Sequence, residues 1–152
     1  MPHLVLIQPD IAQNLGAVLR LAACFALPVH VIEPCGFPLD STRLKRAGMD
    51  YIQHVTLTRH LSWPHFRTHH AQHPGRLLLA ETDGTASLYD LTLTETDYLL
   101  FGSEGSGTPR ALYADMDTVF TIPMRRGMRS LNIATSTAIT TAEAYRQLRW
   151  PL

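Results

Sequence analysis

The chain has 152 residues, a hydrophobic fraction of 45% and a formal net charge of +0. That length suits one domain over residues 1–152, and the apolar fraction suffices for a real core. The balanced charge supplies no global field for nucleic acid. Two cysteines make no disulfide framework, and no run approaches the ~18 apolar residues of a membrane span. The N-terminal "MPHLVLIQPD" lacks the charge and apolar length of a signal peptide. A soluble, cytoplasmic protein is expected.

Short apolar runs alternate with helical patterns. "HLVLI" (3–7) predicts a buried strand and "QPDIAQN" a loop. "LGAVLRLAACFAL" (15–27) predicts a helix with Asn14 as N-cap and Cys24 in the core. "VHVIE" (29–33) is a strand, "PCGFPLD" a loop, and "STRLKRAG" a short basic helix stopped by Gly48. "HVTLT" (54–58) reads as a strand. "SWPHFRTHHAQH" reads as a helix capped by Ser62 with Pro64 in its first turn. "RLLLAE" (76–81) and "DYLLFG" (97–102) are strands, and "SEGSG" is a glycine-rich turn. "TPRALYADM" predicts a short helix with Thr108 as cap and Pro109 first. "DTVFTIP" is the last strand, and a final helix runs from about Asn132 to about Arg149. Strands alternating with helices indicate a single α/β domain with a mostly parallel sheet flanked by helices.

Three loops follow apolar strands, and in open α/β sheets ligands bind beyond the carboxyl ends of strands. In "NLGAVLR", Arg20 sits within an apolar helix, either snorkelling to water or binding an anion. In "LLFGSEGSGTP", three glycines permit close backbone approach and Glu104 is the one charge. The spacing fits neither a Walker loop nor a dinucleotide fingerprint. In "IPMRRGMRSLN", Arg125, Arg126 and Arg129 precede Ser130 or Asn132, either of which can cap the final helix. Local basic clusters must carry any case for a nucleic-acid partner. His65 and His69 have the i, i+4 spacing of metal ligands. No cysteine or carboxylate pair completes such a site, so a solvated helix without metal is the expectation.

The ordered set "NLGAVLR", "LLFGSEGSGTP" and "IPMRRGMRSLNIATSTAI" resembles the three motifs of the SPOUT (TrmH-like) methyltransferases. These are S-adenosylmethionine-dependent RNA 2′-O-ribose methyltransferases. "VIEPCGFPLDSTRLKRAGMDY" and the compact length are similar to the small members that act on the tRNA wobble nucleotide, C or U, with leucine tRNAs as the implied substrates. The resemblance spans essentially the whole chain. It implies a C-terminal trefoil knot, a homodimer packed through the final helix, and a tRNA anticodon loop as partner. Ala134, Ala138 and Ala142 would give that helix its close-packing face, with Leu131, Ile139, Tyr145 and Leu148 adding apolar bulk. The implied cofactor residues are Ala80, Gly102, Ile122, Ser130 and Leu131. Arg20, Asn132 and Glu104 are the implied catalytic group. Asn14, Arg43, Lys45, Arg46, Arg125, Arg126 and Arg129 would contact RNA, chiefly as phosphate contacts that position without reading sequence. A guanidinium has five donors and no acceptor. Arg20 is therefore expected to hold phosphate and ribose rather than to take the proton. Thr108, Ser106 and Ala142 depart from the family's usual Leu, larger residue and Tyr. Another RNA position, a non-catalytic RNA-binding protein and a nucleotide-binding regulator are the competing readings.

Overall fold

A computed structural model describes residues 1–39 and 49–152. Among them, seven strands form one sheet: β1 (His3–Ile7), β2 (Val29–Ile32), β3 (Leu57–His60), β4 (Leu77–Ala80), β5 (Ala86–Ser87), β6 (Tyr98–Phe101) and β7 (Thr118–Thr121). Their order is β3-β2-β1-β6-β4-β7-β5, and every pairing is parallel. Three helices among the described residues flank it: α1 (Ala12–Cys24), α2 (Trp63–Gln72) and α3 (Ile133–Leu148). The expected α/β class and parallel sheet are therefore present.

The central strands read as unbroken apolar runs because both faces are covered. Alternate residues divide between two cores. Leu4, Leu6, Val29, Val31, Leu78, Leu99 and Phe101 face one way, with Leu15 and Leu19 of α1 and Ala144 of α3. Val5, Ile7, Ile32, Leu77, Leu79 and Leu100 face the other, against Phe66 of α2. Each fully buried large apolar side chain contributes roughly 1.5–3 kcal/mol. The chain also closes on itself across the first layer. The indole Nε1 of Trp150 donates to the Phe25 carbonyl at 2.7 Å, and Tyr145 packs edge-on against both rings.

Several local expectations need correction. Helix α1 starts three residues early, and its cap position is Ile11 with no side-chain bond. Asn14 lies inside the first turn, and its side chain is engaged elsewhere. Cys24 is exposed, not core. The run expected at 54–58 forms its strand at Leu57–His60, because Met49–His54 is a 3₁₀ turn. "TPRALYADM" yields a 3₁₀ turn at Arg110–Asp115 whose cap position is Pro109. Thr108 caps nothing; its buried Oγ1 has no partner among the described residues. Ser62 does cap α2, accepting from His65 N, and Asn132 caps α3. The buried row of α3 is Ile133, Thr137, Thr140, Thr141, Glu143 and Ala144. Ala134 and Ala138, expected to face the knot or a partner subunit, are half-buried in the single chain, and Ala142 leaves its side open to solvent there. The predicted basic helix around Arg43, Lys45 and Arg46 lies outside the described residues.

The histidine-rich helix is not simply solvated. His3, His30 and His60 stand on one face of β1, β2 and β3. They form a string: His3 Nδ1 to His30 Nε2 and His30 Nδ1 to His60 Nε2, each 2.9 Å. His69 of α2 packs on both His30 and His60. Burial, then charge repulsion from neighbouring histidines, lowers His30 from the usual 6.5 to about 3 and His60 to about 4. These are neutral core imidazoles, each with one donor and one acceptor nitrogen to give.

Candidate active site

The carboxyl ends of β4, β6 and β7 open into a cavity of about 540 Å3. Ala80, Phe101 and Thr121 end those strands at its floor. The glycine loop supplies Gly102, Ser103, Glu104, Ser106 and Gly107, and the segment before α3 supplies Arg129 to Asn132. The volume lies within the usual range for small-molecule sites. Ala80, Gly102, Ile122, Ser130 and Leu131, implied around a cofactor by resemblance, all line this one cavity.

The glycines have local reasons. A Cβ on Gly102 would stand 2.4 Å from Thr108 Oγ1, 2.6 Å from Thr108 N and 2.7 Å from the Gly107 carbonyl carbon. Gly107 has φ +67, a left-handed conformation that favours glycine. Its N–H donates to the Ser103 carbonyl at 2.9 Å, which closes the loop beside the cavity.

A chain of polar contacts joins three distant segments. Glu104 Oε2 accepts from Asp10 N at 2.7 Å, and Glu104 Oε1 accepts from Asn14 Nδ2 at 2.9 Å. Asn14 Oδ1 accepts from Asn132 Nδ2 at 2.9 Å. Asn132 Oδ1 then accepts from Ala134 N at 2.8 Å and Thr135 N at 3.3 Å. Asp10 completes the clamp: its Oδ2 accepts from Ser103 Oγ at 2.6 Å and Gly105 N at 3.1 Å. The loop after β1, the glycine loop and the start of α3 are thus held in fixed register. Hydrogen bonds to an ionised carboxylate contribute roughly 1.5–3 kcal/mol each, less where water reaches them.

Glu104 and Asn132 therefore meet through Asn14, not through Arg20. The Arg20 guanidinium is exposed, lies 5.0 Å above the Tyr51 ring and does not line the cavity. Arg129 lines it, while Arg125 and Arg126 are exposed just upstream. Arg43, Lys45 and Arg46 lie outside the described residues. Sequence reasoning missed Asp10 and Glu81. Both are acidic residues in segments that follow strands, the same signal that drew attention to Glu104. At Cys35, in the loop after β2, burial first and then the Glu33 carboxylate push the thiol up to about 12, which disfavours the thiolate. Among the described residues no group of three His, Cys, Asp or Glu side chains could hold a metal. No described helix is long and apolar enough to cross a membrane.

Comparison with known proteins gives a consistent picture. Residues 1–142 match the SpoU rRNA Methylase family. The chain is 43% identical, over 95% of its length and 91% of the relative's, to a tRNA (cytidine(34)-2'-O)-methyltransferase of Beijerinckia indica. It is 42% identical, over 95% and 91%, to the protein of the same name from Ancylobacter novellus. A solved structure concerned with 2-OH methylation of C/U34 on tRNA superposes with a TM-score of 0.92 at 45% identity, covering 97% of this chain and 95% of that one. AviRb of Streptomyces viridochromogenes, a SpoU methyltransferase solved with AdoMet, shares the fold at a TM-score of 0.86 and 22% identity, over 97% of this chain and 60% of that one.

Proposed function

The chain belongs to the SpoU rRNA Methylase family, and from that footing we propose that it is a TrmL-type enzyme. It moves the methyl group of S-adenosylmethionine to the ribose 2′-hydroxyl of the tRNA wobble nucleotide, C or U at position 34 and, by the resemblance, in leucine tRNAs. The observation that carries the reading is the cavity at the strand ends, lined by all five residues expected around the cofactor. The names of the relatives support the substrate.

The cavity fits that cofactor chemically. Ile11, Ile122 and Leu131 offer apolar walls, and Gly102, Ser103, Ser106, Gly107 and residues 129–132 bring polar groups beside them. When bound, the cofactor supplies an electrophilic methyl on a sulfonium, which needs no metal to activate it. The protein's part is positioning, worth several orders of magnitude when reacting atoms are held in line. The Glu104–Asn14–Asn132 contacts fix the walls of the cavity. Asn132 lies at its rim and orients the ribose. Arg125, Arg126 and Arg129 hold phosphates at the mouth, and Arg43, Lys45 and Arg46 add a second basic cluster. Arg20 holds the substrate phosphate and ribose, and the proton leaves to phosphate or water. The protein acts in the cytoplasm as a homodimer through α3, with its C-terminal segment knotted through the fold, as the family resemblance implies.

The test is methyl transfer from labelled S-adenosylmethionine into tRNA from a strain lacking the corresponding enzyme, followed by nucleoside mapping. Label on the 2′-oxygen of the wobble nucleotide is expected. Label elsewhere would discard the wobble assignment. Arg20→Ala should abolish turnover and keep cofactor binding; an active variant would remove Arg20 from the mechanism.

A further inference from the structure

Glu81 directly follows Ala80 at the end of β4 and lines the cavity. Its Oε1 accepts from Thr108 N at 2.9 Å, which holds the carboxylate against the glycine loop. Its Oε2 accepts no hydrogen bond from the described residues. Glu104, by contrast, has both oxygens taken. Among the described residues, the charged side chains lining the cavity are these two carboxylates and Arg129, which is exposed. Near Glu81, Arg110 is also exposed, and it pairs with Asp83. Burial first, and then the Glu81 carboxylate, pushes Tyr113 up to about 12. The described lining therefore carries more negative than positive charge, and Glu81 is its carboxylate with an oxygen that no described residue uses.

Methyl transfer changes the charge of the occupant. The S–CH3 bond breaks with its electron pair left on sulfur, an O–CH3 bond forms, and the hydroxyl proton passes to phosphate or water. A sulfonium becomes a neutral thioether. We infer that Glu81 makes the cavity favour the cationic methyl donor over its neutral product. Attraction between unit charges in a partly solvated cleft acts over several ångströms, so direct contact is not required. The carboxylate draws the donor in and loses its hold once the methyl has gone. This inference rests on the cavity being the S-adenosylmethionine site.

The test is titration calorimetry on the full chain with three ligands: S-adenosylmethionine, sinefungin and S-adenosylhomocysteine. Sinefungin carries an amine cation where the sulfonium stands, and the third ligand is the neutral thioether. Glu81→Gln keeps an oxygen for Thr108 N and removes only the charge. The variant should bind both cationic ligands roughly three- to tenfold more weakly and the thioether within about twofold of wild type. An equal loss for all three would overturn the inference, because Glu81 would then act on the shared adenosine or on the loop. No change for any ligand would overturn it too. If wild type binds none of the three, the cofactor reading itself falls. An unchanged melting temperature in the variant excludes misfolding as the cause.

Discussion

Lowering the pH from neutral should weaken this protein through its histidine string. Burial holds His30 at about 3 and His60 at about 4, against 6.5 for a solvated imidazole. Below 6.5 the unfolded chain takes up protons that the folded chain refuses, so stability falls as pH falls. The contribution is complete above about pH 7 and is lost between roughly pH 6.5 and 4. Integrating that linkage from about pH 7 to about pH 5 gives a loss of about 2 kcal/mol for each of the two buried rings. They share a hydrogen bond, so the joint loss is at most about 4 kcal/mol, a large part of a typical 5–15. His3 is half-buried and adds less. Urea unfolding followed by circular dichroism at about pH 7.5 and about pH 5 measures the difference. His30→Gln removes one of the two groups. The variant should be less stable at neutral pH and should lose roughly half as much on acidification. A wild-type free energy flat across that window would refute the argument, as would a variant whose loss matches wild type.

Two further substitutions probe the site and the frame. Gly102→Ala puts a methyl into the Thr108 and Gly107 backbone; the loop must shift, and cofactor affinity by calorimetry should fall tenfold or more. An affinity within about twofold of wild type would show that the loop yields without cost to the site. Asp97 is fully buried, and its carboxylate accepts four hydrogen bonds, two from Arg76 and two from Thr94. Asp97→Asn turns one acceptor into a donor facing donors and should cost about 3 kcal/mol in chemical denaturation.

The parts of the fold that sequence makes legible are those with local causes. Unbroken apolar runs announce β1, β4 and β6, and Ser62, with Ser130 or Asn132, announces two helix starts. The strand-end loops point to the cavity because chain direction alone puts them on one side of a parallel sheet. What is not legible depends on partners far away in sequence. Asn14 looks like a cap and is instead a bridge between Glu104 and Asn132, at separations of 90 and 118 residues. Asp10 looks like a loop residue until Ser103 and Gly105 are found against it. Thr140 and Thr141 look like helix filler, and their burial, with hydroxyls that find no partner among the described residues, follows only from where α3 docks. Glu81 looks like the polar end of a strand, because nothing local reveals that a neighbouring loop makes it part of a wall.

The closure of the last helix onto the first also governs when a working site can exist. Residues 130–150 pack on elements made more than a hundred residues earlier, through Asn132 to Asn14 and Trp150 to Phe25. Contacts so distant in sequence are slow to find, because the loop between them must be closed before they return any stabilisation. A nascent chain that has emerged only to β7 has all seven strands of its sheet and no wall from 129–133. It also exposes the apolar face that α3 and Trp150 will cover, an invitation to aggregate or to bind a chaperone. Ligand binding should therefore be the last property the chain acquires on the ribosome, and the first it loses when the C-terminal helix frays.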